Sequence, residues 1–189
     1  NYAYKSRYLF EANLRYDGNS RYHTDYRWGT FPSASAAWRI SEEAFMENTK
    51  NWLDNLKLRV SYGSVGNDGG SDVGNYEYQS TYSISRYPLG GNLTAGLAST
   101  SIANSMLSWE TSTMTNVGVD LNTLNNRFSF TMDVFRSKTT GILFTPSIYL
   151  TAGNKSAPRQ NIAEMGKNGV ELALGWQDRI GEVSYSVSG

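Results

Sequence analysis

Apolar and polar residues alternate with a period of two along most of this chain. From Tyr8, one side reads Tyr8, Phe10, Ala12, Leu14 and Tyr16, and the other reads Leu9, Glu11, Asn13, Arg15 and Asp17. Successive side chains of a strand point to opposite faces, so such a segment folds with one apolar and one polar face. The pattern returns at Ala34–Ile40, Leu56–Tyr62, Thr113–Leu121, Phe128–Val134, Val170–Trp176 and Val183–Val187. It predicts an all-β chain, an antiparallel meander of about seven strands. One stretch departs from it. Ser41-Glu42-Glu43-Ala44-Phe45 pairs a capping serine with acidic residues, which predicts a short helical connection near 41–55. Asn51-Trp52-Leu53-Asp54 is expected to add a further turn.

The connections sort by length. Asn122–Asn126 and Asp178–Glu182 are tight, whereas residues 18–30, 64–106 and about 145–161 form long links. In an antiparallel meander, the long links fall at one end and the tight ones at the other, together with the helical link. Outer-membrane barrels have this asymmetry of short turns and long loops.

Alternation alone fits two architectures. In a soluble, secreted carbohydrate-binding β-sandwich, the apolar face is the packed interior. In a membrane barrel it meets lipid, and the polar face lines the lumen. Three details favour the barrel. The polar faces carry Glu11, Arg15, Lys57, Arg59, Asp133 and Glu171 among many Ser, Thr and Asn. Several strands approach the roughly 9–11 residues that cross a bilayer at a tilt. Tyr16, Trp38, Tyr62 and Trp176 lie toward strand ends, where an interfacial aromatic girdle would be.

Longer strings carry a resemblance. Leu14-Arg15-Tyr16-Asp17-Gly18 is followed by Arg27-Trp28-Gly29-Thr30-Phe31-Pro32-Ser33, then by Ala37-Trp38-Arg39-Ile40-Ser41-Glu42-Glu43. Leu56-Lys57-Leu58-Arg59-Val60-Ser61-Tyr62-Gly63, Ser108-Trp109-Glu110-Thr111-Ser112, Asn116-Val117-Gly118-Val119-Asp120 and Gly166-Lys167-Asn168-Gly169-Val170-Glu171-Leu172 come after them. In this order, the series resembles the C-terminal barrel region of SusC/RagA-type TonB-dependent transporters of the Bacteroidetes outer membrane. The resemblance implies a large barrel of 22 strands with a plug inside it. Residues 1–189 would then be a partial barrel domain, with the plug, the TonB-contacting segment and the final strands outside it. It also implies import of oligosaccharides or peptides, energised through TonB, with a SusD-like surface lipoprotein over the external loops.

Composition and motifs exclude other classes. Lys plus Arg and Asp plus Glu each total 17, and a net charge of zero argues against a nucleic-acid binder. The chain has no cysteine, so it has no thiol nucleophile and no zinc–thiolate site. Its one histidine, His23, stands in a polar loop, and no Gly-x-Ser-x-Gly elbow accompanies it. Asn67-Asp68-Gly69-Gly70-Ser71-Asp72 lacks a complete Ca²⁺ ligand pattern and reads as a loop turn. No enzyme activity, cofactor or metal is expected.

Binding is the remaining signal. Tyr22, Tyr26 and Trp28 lie in the first long loop, and Tyr76, Tyr78, Tyr82 and Tyr87 crowd the longest one. Flat rings with polar tips suit contact with a sugar, a peptide or a protein partner. The same rings can equally pack the loops onto one another. Glu11, Arg15, Lys57 and Arg59 are expected to face the lumen, lining the import path, pairing across strands or meeting the plug.

Overall fold

The computed structural model describes residues 1–70, 73–99, 101–149, 151 and 157–189. Among them are ten strands: β1 (Tyr2–Tyr4), β2 (Tyr8–Gly18), β3 (Trp28–Arg39), β4 (Leu53–Asn67), β5 (Tyr82–Leu89), β6 (Asn92–Ser99), β7 (Glu110–Thr123), β8 (Phe128–Phe144), β9 (Gln160–Ile180) and β10 (Val183–Ser188). Eight form one antiparallel sheet, in the order β1-β2-β3-β4-β7-β8-β9-β10. β5 and β6 form a separate hairpin within the longest connection. The seven alternating segments are the seven long strands of the sheet. Alternation missed β1, which is only three residues long, and the hairpin, which lies inside a link read as loop.

Register aligns the alternation across the whole sheet. Phe10 stands opposite Ala36, Ala36 opposite Val60, Val60 opposite Val117, Val117 opposite Val134, and Val134 opposite Val170. From the short-turn end up to this row one continuous apolar face results, with most of the charged and hydroxyl side chains on the other. A one-residue slip anywhere would move a whole strand's apolar set to the wrong face, which is why the pairing is well specified.

The apolar face is bare. Leu14 is 71% exposed and Leu172 is 62% exposed, and among the described residues no second sheet covers Phe128, Phe130, Met132 or Val134. A soluble sandwich buries these residues; a barrel wall offers them to lipid. Along β3 the apolar positions are exposed, while most of the alternating polar positions are half-buried, so the polar face is the concave one. Trp28 and Trp38 stand on the same apolar face of β3, ten residues apart. At about 3.3 Å per residue and a tilt of roughly 40°, they bracket about 25 Å along the membrane normal, the height of an apolar barrel band. Tyr16 stacks on Trp28 at 4.9 Å at the upper end, and Tyr8 on Trp38 at 6.5 Å at the lower end.

The ends differ as expected. The tight turns 5–7, 124–127 and 181–182 share one end with the helical link 40–52, and the connections 19–27, 68–109 and 145–159 share the other. Leu124, Asn125 and Asn126 all take positive φ in the tight β7–β8 turn. β4 and the segment before it hold that turn from outside: Leu124 donates its N–H to the Trp52 carbonyl, and Asn126 donates its own to Asp54 Oδ2 at 2.8 Å.

The helical link is two 3-10 turns, Ile40–Glu42 and Ala44–Thr49. Ser41 does not cap it. Ser41 lies inside the first turn, buried, and Arg39 and Glu43 hold the two cap positions. Asn51 and Trp52 do form a further turn, closed by the Trp52 N–H on the Thr49 carbonyl at 3.1 Å, but Leu53 and Asp54 already belong to β4, and Leu53 is buried opposite Thr123.

Candidate functional site

The concave face is organised around Arg59. Its guanidinium donates to both oxygens of Asp120, at 2.8 and 2.9 Å, and to Asp133 Oδ2 at 3.1 Å. Lys57 pairs with Asp120 at 3.3 Å, and Asn116 donates to Asp133 Oδ1 at 2.9 Å. Three strands, β4, β7 and β8, thus exchange two positive and two negative charges in one network, which leaves this patch of wall polar and neutral. Such a planar fork holding two carboxylates is geometry that lysine cannot copy.

Gly118 makes the bridge possible. It lies on β7 between Arg59 and Asp133 in the register, and a Cβ there would overlap Asp133 Oδ1 and sit 2.9 Å from Arg59 Nη2. Sequence alone does not reveal it, because Arg59 becomes its neighbour only once β4 pairs with β7.

The four charged residues expected in the lumen all stand on this polar face, but only two are brought together. Lys57 and Arg59 join the network. Glu11 instead accepts from Asn13 at 3.1 Å, and Arg15 pairs with Asp17 at 2.8 Å, each within β2. Glu171 lies opposite Asp133, which places a carboxylate beside the network on β9.

At the long-loop end the connections form one block. Tyr22, Val73 and Leu107 are buried together, with Trp109 and Leu143 packed against them. Phe31, itself buried, meets Trp109 edge-on at 5.6 Å, and Tyr22 meets it at 6.0 Å. The Tyr22 hydroxyl donates to the Asp68 carbonyl at 2.9 Å, and the Trp109 indole donates to the Arg27 carbonyl at 2.9 Å. Burial holds the Tyr22 phenol well above the ordinary tyrosine range. Gly69 has φ +72°, and a Cβ there would press into Val73 and Leu143, so only glycine fits. Asn161 ties the far strand in, donating to the carbonyls of Ser108 and Gly141 at 2.8 and 2.7 Å.

The seven aromatics proposed for contact therefore divide. Tyr22 is part of the loop core and offers no surface. Trp28 is not a loop residue: it opens β3 and faces outward, stacked on Tyr16, because the strand starts five residues before the alternation is clear. Tyr26 remains exposed. Tyr76, exposed and at φ +64°, meets half-buried Tyr78 edge-on at 6.1 Å, and Tyr78 meets His23 at 5.7 Å. Tyr82 opens β5 and Tyr87 lies two residues before its end, on opposite faces of the hairpin by alternation, both exposed. His23 caps the 3-10 turn Thr24–Tyr26 through its ring nitrogen. Of the 67–72 stretch, Ser71 and Asp72 lie outside the described residues; Asn67 and Asp68 accept from the N–H groups of Gly69 and Gly70, as a turn requires.

Known proteins share this arrangement. The sequence profile of the family described as TonB dependent receptor-like, beta-barrel matches residues 1–189. TonB-dependent receptor SusC of Bacteroides thetaiotaomicron is 32% identical over all of this chain, which spans 19% of its length. TonB-dependent receptor P3 of Formosa agariphila is 32% identical over 92% of the chain, which covers 17% of that protein. The chain therefore spans about a fifth of the length of these relatives. Among solved structures, the RagAB peptide importer in its open-open state superposes with a TM-score of 0.81 at 26% identity, over all of this chain and 21% of that one. Its closed-closed state gives 0.78 over 96% of the chain and 20% of the other. A siderophore receptor of Pseudomonas aeruginosa, at 14% identity and a TM-score of 0.55, shares the fold alone. The family is one of outer-membrane transporters rather than enzymes, and its barrel explains the bare apolar face, the polar concave face and the loops gathered at one end. This chain belongs to the TonB-dependent receptor β-barrel family and is of the SusC/RagA type.

Proposed function

We propose that these residues are a section of barrel wall and loop platform in an importer of oligosaccharides or peptides. The observation that carries this reading is the two-faced sheet: a lipid-ready band between Trp28 and Trp38 outside, and a neutralised polar wall around Arg59 inside. A channel wall for uncharged, hydrogen-bonding cargo needs polar groups without a strong field of one sign, and the pairing of Arg59 and Lys57 with Asp120 and Asp133 supplies that. The sheet is part of a larger barrel, for which the family resemblance implies 22 strands, since diameter follows strand number and eight strands with two open edges close no large pore. A plug inside it takes energy from TonB, and a SusD-like lipoprotein sits over the loop platform, where Tyr26, Tyr76, Tyr78, Tyr82 and Tyr87 meet that partner or the cargo.

The test uses the full-length protein. It is expected in the outer-membrane fraction, soluble only with detergent, with heat-modifiable migration and a co-purifying lipoprotein. Cells lacking it are expected to lose growth on one polymeric sugar or peptide source. A detergent-free soluble protein, or growth unaffected on every such source, overturns the reading.

A further inference from the structure

The outward face changes character sharply on β8 and β9. The apolar row ends at Val134 and Val170, and the next outward row is Thr115, Arg136 and Asn168 on adjacent strands. Two residues further, Lys138 stands opposite Gly166. Arg136 and Asn168 are exposed, and among the described residues Arg136 has no ion pair or hydrogen bond from its side chain. Lys138 pairs with Glu164 at 2.9 Å, both side chains more than half exposed. Nothing stands within 4 Å of where a Cβ on Gly166 would be, so the surface beside Lys138 is open.

Height fixes what this patch meets. Arg136 lies eight residues along β8 from Phe128, which pairs with Trp176 at the short-turn end. At a tilt of roughly 40°, that is about 20 Å up the membrane normal, and Lys138 is at about 25 Å, the upper edge of the apolar band. An unpaired guanidinium on a lipid-facing row is costly unless it reaches the headgroups and finds an anion there. The arginine fork and the neighbouring amide and hydroxyl are donors that bind phosphate well, and Lys138, whose pair with Glu164 is exposed on both sides and therefore weak, can turn to the same anion.

We propose that Arg136 and Lys138, flanked by Thr115 and Asn168, bind the phosphate of a lipid headgroup in the leaflet on the long-loop side. The site lies on the outside of the wall, so it rests on the membrane placement and not on the nature of the cargo. Its occupant is lipid-borne, because the open side of the patch faces the bilayer edge rather than the aqueous lumen.

The experiment reconstitutes the full-length protein in nanodiscs containing diphosphoryl lipid A or its dephosphorylated form, and counts retained lipid by native mass spectrometry. The phosphorylated form is expected to be retained preferentially. The Arg136→Gln/Lys138→Gln variant should bind it roughly thirtyfold more weakly, the scale of losing two basic contacts to an anionic surface. Heat-modifiable migration checks folding. If the double variant fails to fold, Arg136→Lys, which keeps the charge and loses the fork, should retain intermediate amounts. A Lys5→Gln change in the opposite, short-turn end should alter nothing. Equal retention of both lipid forms, unchanged retention in the variants, or displacement by inorganic phosphate at millimolar concentration would each overturn the proposal, the last by making it a free-anion site.

Discussion

Trp38 donates its indole N–H to Glu43 Oε1 at 3.0 Å, and the same oxygen accepts the Tyr8 hydroxyl at 2.6 Å. Arg7 pairs with the other oxygen at 3.3 Å. A single carboxylate just past the end of β3 therefore orients two rings of the lower aromatic girdle. The Tyr8 hydrogen bond, then that from Trp38 and the charge of Arg7, hold the Glu43 carboxyl below the usual carboxylate range. A depressed folded value contributes stability above the unfolded pKa of about 4.3, and that contribution disappears as pH falls through the folded value. Thermal unfolding of the full-length protein in detergent should therefore lose stability below about pH 4, and Glu43→Gln should flatten that dependence. Parallel acid limbs in the two proteins would show that Glu43 is not the group responsible.

Leu172 faces outward at mid-strand opposite Met132, and its neighbour Ala173 faces the concave side opposite Thr131. Leu172→Arg should cost about 2–4 kcal/mol in a reversible folding assay into lipid. Ala173→Arg should cost much less. Equal costs would mean that the faces have been assigned wrongly.

Gly118→Ala should break the Arg59–Asp133 bond by placing a methyl group against the carboxylate, at about 1–3 kcal/mol for overpacking. Asp133→Asn, which leaves room at Gly118 but removes the charge, should be less damaging in combination with Gly118→Ala than the sum of the two changes. A double-mutant cycle in the same folding assay reads this coupling, and additive effects would show that the network is not a unit.

Phe31→Ala should loosen the loop block, since deleting a buried ring costs about 3–5 kcal/mol. Amide exchange should accelerate in residues 19–27 and 104–109 while β7 through β9 stay protected. Uniform acceleration across the sheet would instead make Phe31 a support of the wall.

Tyr22 offers an alkaline counterpart to Glu43. Its raised phenol pKa means that its contribution is intact below the ordinary tyrosine value of about 10 and is lost as pH rises toward the higher folded one. Spectroscopic titration should find a late-ionising tyrosine that is missing in Tyr22→Phe.

The wall was legible in the sequence because its side-chain period is the fold: a bilayer on one face and water on the other impose alternation on every strand. The loop block was not. Trp109, Leu107 and Val73 lie in one link without periodicity, and they meet Tyr22 only because the 19–27 and 68–109 connections converge on one end, beside Leu143 of β8. Phe31 did carry a signal, an aromatic on the polar row of β3 beside the loop end, where such a ring needs cover. Trp28 was misplaced because Gly29 and Thr30 blur the alternation at the start of its strand. The ion network was half legible. Arg59 and Lys57 declared their face, but their choice of Asp120 and Asp133 over Glu11 depended on strand order, since a loop of 42 residues separates β4 from its partner β7.

The indole of Trp109 is bonded to the carbonyl of Arg27, the residue just before Trp28. The loop block is thereby fastened to the strand position that marks the upper surface of the bilayer. Its altitude is consequently set by the lipid and not by the length or flexibility of the loops. Whatever arrives from outside meets a floor at a fixed clearance above the headgroups.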